Sequence, residues 1–297
     1  MNKYIGIDLG GTNVRIALIN EEGEVLKEAD SPSYAQEGPE KVSGNIEEIL
    51  SGFAELQECK GIGIGVPGPV DSRRRVMTLA TNLPGFKDYP LAERLERKFG
   101  IPVFVENDAN VAGIGEALAG AGKGCPIVYY VTQSTGIGGA LVINGKIHSG
   151  AHGYAGEIGN IIIDPHREKI SELNAGSAET EASGTALNRK AKALGYGNAA
   201  GLFKAAAAGD EKAKELIDTM SCDLARLLSS IALVADPDII VIGGGVAVHS
   251  SELYFPLLKK YYESFIHPGM RDTQIVLAQL KEPGIVGAAM LAKAALQ

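Results

Sequence analysis

The pattern that most limits what this chain can fold into is one it uses twice. Ile5-Gly6-Ile7-Asp8-Leu9-Gly10-Gly11-Thr12 runs into Ala17-Leu18-Ile19-Asn20. Tyr129-Tyr130-Val131-Thr132-Gln133-Ser134-Thr135-Gly136-Ile137-Gly138-Gly139 runs into Ala140-Leu141-Val142-Ile143-Asn144-Gly145. Each copy is an apolar strand, a Gly/Thr turn, a second apolar strand and a polar turn, which reads as a β-hairpin. Glycines at such a turn let backbone N–H groups approach an anion, and a threonine hydroxyl adds a donor. A duplicated phosphate-holding hairpin predicts two related lobes gripping one nucleotide, and so points to phosphoryl transfer.

The surrounding elements fit an α/β chain. Strands are expected over 4–9, 14–20 and 24–29, then a helical stretch over 39–56 broken by Gly44 and Gly52. Lys60 to Val66 reads as a buried strand ending in Pro67-Gly68-Pro69; a helix over 90–99 stops at Gly100. Val103-Phe104-Val105 is another strand, running into Glu106-Asn107-Asp108 and a helix-prone stretch over 109–120. This order implies a central sheet with helices on its faces. Beyond the second hairpin, residues 148–180 lack clear periodicity, and long loops inside compact domains are more often functional than accidental. Helices follow over 184–194, 199–208, 210–235 and 251–265, with a buried strand from Asp238 into Gly243-Gly244-Gly245 before the last. Two domains are therefore expected: 1–120, with an Ala-rich helix in 284–297 packing back on it, and 121–283.

Composition removes several classes of function. A formal net charge of -8 argues against a nucleic-acid surface, and the dense basic run Arg73-Arg74-Arg75 reads as a solvated loop. No apolar stretch approaches the roughly 20 residues of a membrane span, and no leader pattern opens the chain. Cys59, Cys125 and Cys222 are odd in number and far apart, which argues against a disulfide framework or a structural zinc site. A cytoplasmic protein without membrane or nucleic-acid partners is the expectation.

Several polar residues could carry chemistry. Asp8 stands where the first phosphate turn begins; a carboxylate there would repel phosphate unless a cation intervened, so it reads as a residue directing Mg²⁺, through water. Asp108 follows a strand at the edge where open α/β sheets place their active sites, and transfer to an alcohol needs a carboxylate to take the hydroxyl proton. Asn107 or Asp108 could also cap the helix that follows, a role that does not exclude the catalytic one. Glu157 lies among glycines in the irregular region and could bond vicinal hydroxyls; Glu179 invites the same reading, with Glu181 as an alternative. Gly243-Gly244-Gly245 permits close approach to a nucleotide but lacks dinucleotide-site spacing.

Together these motifs resemble the ROK family (repressors, open reading frames and kinases). The resemblance rests on Asp8-Leu9-Gly10-Gly11-Thr12, Gly65-Val66-Pro67-Gly68-Pro69-Val70-Asp71, Glu106-Asn107-Asp108-Ala109-Asn110, Thr135-Gly136-Ile137-Gly138-Gly139, Ala155-Gly156-Glu157-Ile158-Gly159 and Gly243-Gly244-Gly245, in order along the chain. It implies a two-lobed, actin-like ATPase (ribonuclease H-like) fold with a duplicated β-β-β-α-β-α core, and ATP-dependent, Mg²⁺-assisted phosphorylation of a hexose. It makes Asp108 the catalytic base and Asn107, Glu157, Asn160 and Glu179 sugar-binding residues, with Gly68 and Thr81 lining the same pocket. Gly10, Gly11, Thr12, Thr135, Gly136 and Gly138 would cradle phosphates, and Gly244 and Gly245 would lie near the nucleoside. Ala208-Gly209-Asp210 more loosely resembles an adenosine-side segment. A homodimer is the family expectation.

One departure bears on the acceptor. Where the family usually has a histidine followed by three cysteines holding zinc, this chain has Asn160, Ile170, Glu172 and Ser177, so no zinc is expected. Glucokinase is the default activity by family frequency. Fructose, mannose, allose, N-acetylmannosamine and N-acetylglucosamine remain alternative acceptors, and a non-catalytic sugar-responsive regulator is the alternative of another class. Family repressors carry an N-terminal helix-turn-helix, whereas here the phosphate strand begins within the first residues.

Overall fold

The computed structural model describes residues 1–297. It divides into two compact units, one of residues 1–126, 142–155 and 279–297, the other of 127–141 and 156–278.

In the first unit, β1 (Lys3–Leu9), β2 (Asn13–Asn20) and β3 (Val25–Pro32) form an antiparallel ribbon. Helix α1 (Pro39–Ser51) leads to β4 (Cys59–Val66), a two-residue ribbon of β5 (Val70–Asp71) and β6 (Val76–Met77), α2 (Leu91–Phe99), β7 (Val103–Asn107) and α3 (Asp108–Ala119). The sheet order is β3-β2-β1-β4-β7, with β1, β4 and β7 parallel and Ile7, Ile64 and Val105 in register. Alternate residues of β1 serve opposite faces. Ile5, Ile7 and Leu9 join Val42, Ile46, Leu50, Leu91 and Leu95 of α1 and α2, while Tyr4 packs with Ile285, Val286 and Ala289 of the last helix. Gly44 does not break α1, because the buried stripe Val42, Ile46 and Leu50 outweighs the roughly 1 kcal/mol a helical glycine costs. Of the three glycines in β4, Gly63 has a packing reason: a Cβ on it would overlap the Ala288 carbonyl, so its absence lets the last helix lie on the sheet.

The second sheet repeats the plan. β8 (Ile127–Gln133), β9 (Ile137–Ile143) and β10 (Lys146–Ile147) precede β11 (Ile239–Gly243) and β12 (Gln274–Leu277), in the order β10-β9-β8-β11-β12 with β8, β11 and β12 parallel. Helices α4 (Ala178–Ala182), α5 (Gly184–Ala193), α6 (Ala199–Ala207), α7 (Glu211–Ala235) and α8 (Gly245–Phe265) belong to this unit, and α9 (Pro283–Ala295) to the first. The four residues of β12 are too few for a period to show and escape a reading of pattern. α8 starts six residues before the expected position, directly from the glycine run: Gly244, at φ 90, is its N-cap. The loop-rich stretch 148–180 contains a short 3-10 turn (Ile158–Asn160) as well as α4. No helix is long and apolar enough to cross a membrane.

Candidate active site

In the first unit the parallel strands deliver their C-terminal residues to one edge of the sheet, where α/β folds hold ligands. Asp8 is the penultimate residue of β1, Gly68 follows β4, and Asn107 ends β7. The Asp8 carboxylate is held by Arg15 of β2, 2.8 Å from its Oδ2, and Arg15 is held in turn by Glu282. The turn after Asp8 is closed by Gly10 N–H on Asn13 O (2.9 Å) and fixed to the residue after β3 by Ser33 N–H on Thr12 O (2.8 Å). A Cβ on Gly11 would stand 2.8 Å from Asn82 O, and one on Gly68 3.0 Å from Leu79 O. The segment bearing Thr81 is thereby packed close to both the phosphate turn and the β4 turn.

The structure resolves the capping alternative in favour of Asn107. Its Oδ1 accepts the N–H of Asn110 (2.8 Å), and Asp108 becomes the first residue of α3, its Oδ1 taking the N–H of Ala109 (2.8 Å). Desolvation, the largest influence, raises the Asp108 carboxyl above its ordinary range although part of the residue is exposed; the Asp8 charge adds to this, and the Ala109 N–H opposes it. Sequence reasoning missed what shapes this corner. Glu106, only 4% exposed, accepts from Asn107 N–H (2.9 Å), Asn110 Nδ2 (3.1 Å) and Ser72 Oγ (2.7 Å). The sequence carries no signal for it: Glu106 is one more strand residue until Ser72 and Asn110 are seen beside it.

In the second unit, β8 turns into β9 through Ser134-Thr135-Gly136, with Ser134 N–H on Gly136 O (2.9 Å). Glu179 of α4 sits directly beneath: its Oε2 accepts the N–H of Ile137 at 2.8 Å, and a Cβ on Gly136 would overlap that oxygen. A Cβ on Gly159 would stand 3.1 Å from the same atom, so the Glu157–Asn160 segment packs beside Glu179. Gly138 lies within β9. Glu181, the alternative to Glu179, points elsewhere: it bonds Lys190 (2.8 Å) and Arg167 (2.7 Å). Asn160 is bound to Asn174, whose N–H donates to its Oδ1 (2.7 Å). Of the other zinc positions in the resemblance, Ile170 and Glu172 stand in the loop and Ser177 is buried, its hydroxyl 3.1 Å from that of Thr180.

A cavity of about 300 Å³ opens beside the second turn, lined by Thr135, Gly245, Thr185, Asn188, Phe203 and His249 among others. Gly245 is the first residue of α8, while Gly244 crosses so near β8 that a Cβ would stand 2.5 Å from Gln133 O. The four residues from α5, α6 and α8 were not singled out for a site, because each lies in an ordinary helical pattern. Asp210 is the N-cap of α7, bonded to Tyr196, and does not line this cavity.

The comparisons with known proteins agree across the whole chain. The ROK family matches residues 4–295. A glucokinase of Thermotoga maritima is 32% identical, over 98% of this chain and 97% of the relative. Among solved structures, a ROK hexokinase from Thermus thermophilus is 34% identical with a TM-score of 0.90, covering 99% of each chain. A ROK family glucokinase from Streptomyces griseus, solved in complex with glucose and AMPPNP, is 31% identical with a TM-score of 0.77, covering 98% of this chain and 99% of its own. Two α/β units of one topology, each presenting a glycine turn, define the actin-like ATPase class. Within that class the chain belongs to the ROK family.

Proposed function

We propose that this chain, a sugar kinase of the ROK family, transfers the γ-phosphate of ATP to a hexose hydroxyl, with glucose as acceptor and glucose 6-phosphate as product. The observation that carries the reading is Asp108: a carboxylate with a raised pKa at the C-terminal edge of a parallel sheet, close enough to Asp8 to feel its charge. A general base works best when its pKa is moved towards the working pH. Asp108 orients the acceptor hydroxyl and takes its proton late in the transfer. Asn107 offers its Nδ2 to the sugar, since its Oδ1 is engaged by Asn110. Gly68, Thr81, Glu157, Asn160 and Glu179 are proposed to bind the remaining hydroxyls; Glu179 keeps Oε1 for this while Oε2 holds Ile137.

Gly10, Gly11 and Thr12 in one unit, and Thr135, Gly136 and Gly138 in the other, are the proposed phosphate turns, with Gly244 and Gly245 at the nucleoside. Asp8 suits Mg²⁺: Arg15 occupies its Oδ2 and leaves Oδ1, a hard oxygen donor of the kind that ion prefers, for a water of its shell. The ion would neutralise phosphate charge. Cytoplasmic location and a homodimer belong to the proposal as well.

Asn160 favours a second reading of the acceptor, another hexose or an amino sugar, because an uncharged amide stands where family kinases usually place a histidine. Catalytic efficiency across glucose, fructose, mannose, allose, N-acetylmannosamine and N-acetylglucosamine tests both. Glucose is expected to lead. A better acceptor in the panel replaces it, and sugar binding without ADP release from any of them would indicate a regulator.

A further inference from the structure

Between the 3-10 turn at Ile158–Asn160 and α4, residues 161–177 form a closed loop. Its base is laced by Ile163 N–H on Gly176 O (2.9 Å), Ala178 N–H on Ile161 O (2.9 Å) and the Asn174–Asn160 bond. Beside that base the chain turns at Asp164, whose N–H also reaches Gly176 O (3.3 Å) and whose carboxylate accepts the N–H of His166 (3.1 Å). From there Arg167 reaches back to the helices. Its guanidinium meets Asp223 through two nitrogens (2.5 and 2.8 Å), Glu181 (2.7 Å) and Asp164 (3.2 Å). The side chain of Asp223, in the middle of α7, has no exposed surface, and that of Glu181 in α4 keeps 5%. Lys190 and Arg226 complete the network, 2.8 Å from Glu181 and 3.0 Å from Asp223.

A planar guanidinium forking onto a buried carboxylate fixes direction as well as distance. Burying that pair costs desolvation of both charges, and a hydrophobic contact of the same size would hold a loop as well. Cohesion alone therefore does not account for it, since backbone bonds already close the base of the loop. The network adds registration: one side chain ties the first turn of the loop, beside that base, to α4 and α7 together. α4 carries Glu179, and the base of the loop carries Asn160 and, three residues before it, Glu157.

We propose that Arg167 is a positioning residue for the sugar site. By clamping Asp223 and Glu181 it fixes α4 against the 161–177 loop, and with them the relative placement of Glu179, Glu157 and Asn160. The inference rests on the reading of those three as sugar-binding residues.

Two variants test it. Arg167→Met removes the fork at similar length, and Arg167→Met/Asp223→Leu also removes the buried charge left behind. In the single variant the KM for sugar is expected to rise about 10-fold or more, as misplaced binding groups do, while the KM for ATP is unchanged. Its thermal midpoint falls. In the double variant the midpoint recovers but the sugar KM stays raised. Recovery of both would show that Arg167 merely compensates Asp223 and would overturn the proposal, as would an unchanged sugar KM in the single variant. Hydrogen exchange over 158–177 without substrate is expected to quicken in both variants, and unchanged exchange also overturns it. That readout needs no turnover, so failure of the kinase reading stays distinguishable. Should Arg167→Met not fold, Arg167→Lys carries the same measurements, with a smaller rise in sugar KM expected.

Discussion

At the end of β1 the turn begins with a carboxylate, Asp8, and the group that holds it is the Arg15 guanidinium 2.8 Å away. At the end of β8 the corresponding turn begins with Ser134 and Thr135, and its carboxylate, Glu179, arrives from a helix and takes a backbone N–H, that of Ile137, at 2.8 Å. One strand order thus supports two different uses of an acid. In the first unit charge faces charge: Asp8 stands near Asp108, and its charge adds to the desolvation that raises the Asp108 carboxyl. In the second the carboxylate seats the turn itself, and a Cβ on Gly136 would overlap Glu179 Oε2, while one on Gly159 would overlap the Ile137 carbonyl. The difference divides the labour. On the proposed reading, proton transfer and metal fall to the first unit, and a carboxylate that seats a phosphate turn falls to the second, with both units lending residues to the sugar.

The most severe way to break this division is Asp108→Asn. A general base contributes about 10²–10⁴-fold, so kcat should fall by that order in an ADP-release assay, with nucleotide binding retained. Near-normal turnover would remove the first unit's claim to the chemistry. The raised pKa gives the same variant a second readout. The base acts deprotonated, so kcat/KM of the unaltered protein should fall as pH drops through that raised value, an acid limb above the ordinary carboxylate pKa of about 3.9. For stability the sign is opposite to that of a salt-bridged acid. The folded state keeps this proton to higher pH than the unfolded chain, so stability from the group is present below the ordinary pKa and is lost as pH rises through the raised one. Asp108→Asn should therefore raise the thermal midpoint at neutral pH and gain nothing below pH about 4, by calorimetry across pH.

An intermediate effect is expected at the second turn. Glu179→Gln keeps an oxygen for Ile137 N–H and removes the charge offered to hydroxyls, so the sugar KM should rise about 10-fold, in line with loss of a charge-assisted hydrogen bond of about 1.5–3 kcal/mol. Glu179→Ala also unseats the turn and should raise the KM for ATP as well. If Glu179→Ala leaves ATP untouched, the carboxylate does not seat a phosphate turn, and the contrast with Asp8 narrows to charge alone.

Much of this was legible in the residues because it lies at strand ends, where an apolar run gives way to a glycine turn or to a polar helix start. Asp8, Asn107 and Asp108 stand at such breaks, and so do Thr135, Gly136 and Gly244. What stayed hidden depends on neighbours distant in sequence. Glu106 is a glutamate in a strand until Ser72 and Asn110 are seen to meet it. Arg167 looks like a solvated loop cation until Asp223, 56 residues later, is found buried beneath it. Thr185, Asn188, Phe203 and His249 converge on a cavity from three helices whose periods advertise only packing. Periodicity names the face that packs; it is silent about which polar residues share a corner.

The smallest expected effect concerns the acceptor, and it tests how far the second unit decides specificity. Asn160 gives its Oδ1 to Asn174 N–H (2.7 Å) and its carbonyl to Asn174 Nδ2 (3.2 Å), so its side chain is tied into the loop before any sugar arrives. Asn160→His exchanges that acceptor for a ring with different reach and a pKa near neutrality. The loop keeps its backbone lacing and the Arg167 clamp, so the fold should survive. The ranking of sugars should change by less than about 10-fold, the scale of one altered neutral hydrogen bond near 1 kcal/mol. Zinc should remain substoichiometric by elemental analysis in both proteins, because Ile170 and Glu172 offer no thiolate and the Ser177 hydroxyl is buried against Thr180. A stoichiometric zinc signal in the unaltered protein would overturn the zinc-free reading of the loop. A ranking that inverts on this one exchange would place acceptor choice at Asn160 itself, and leave Glu157 and Glu179 as general holders of any hexose.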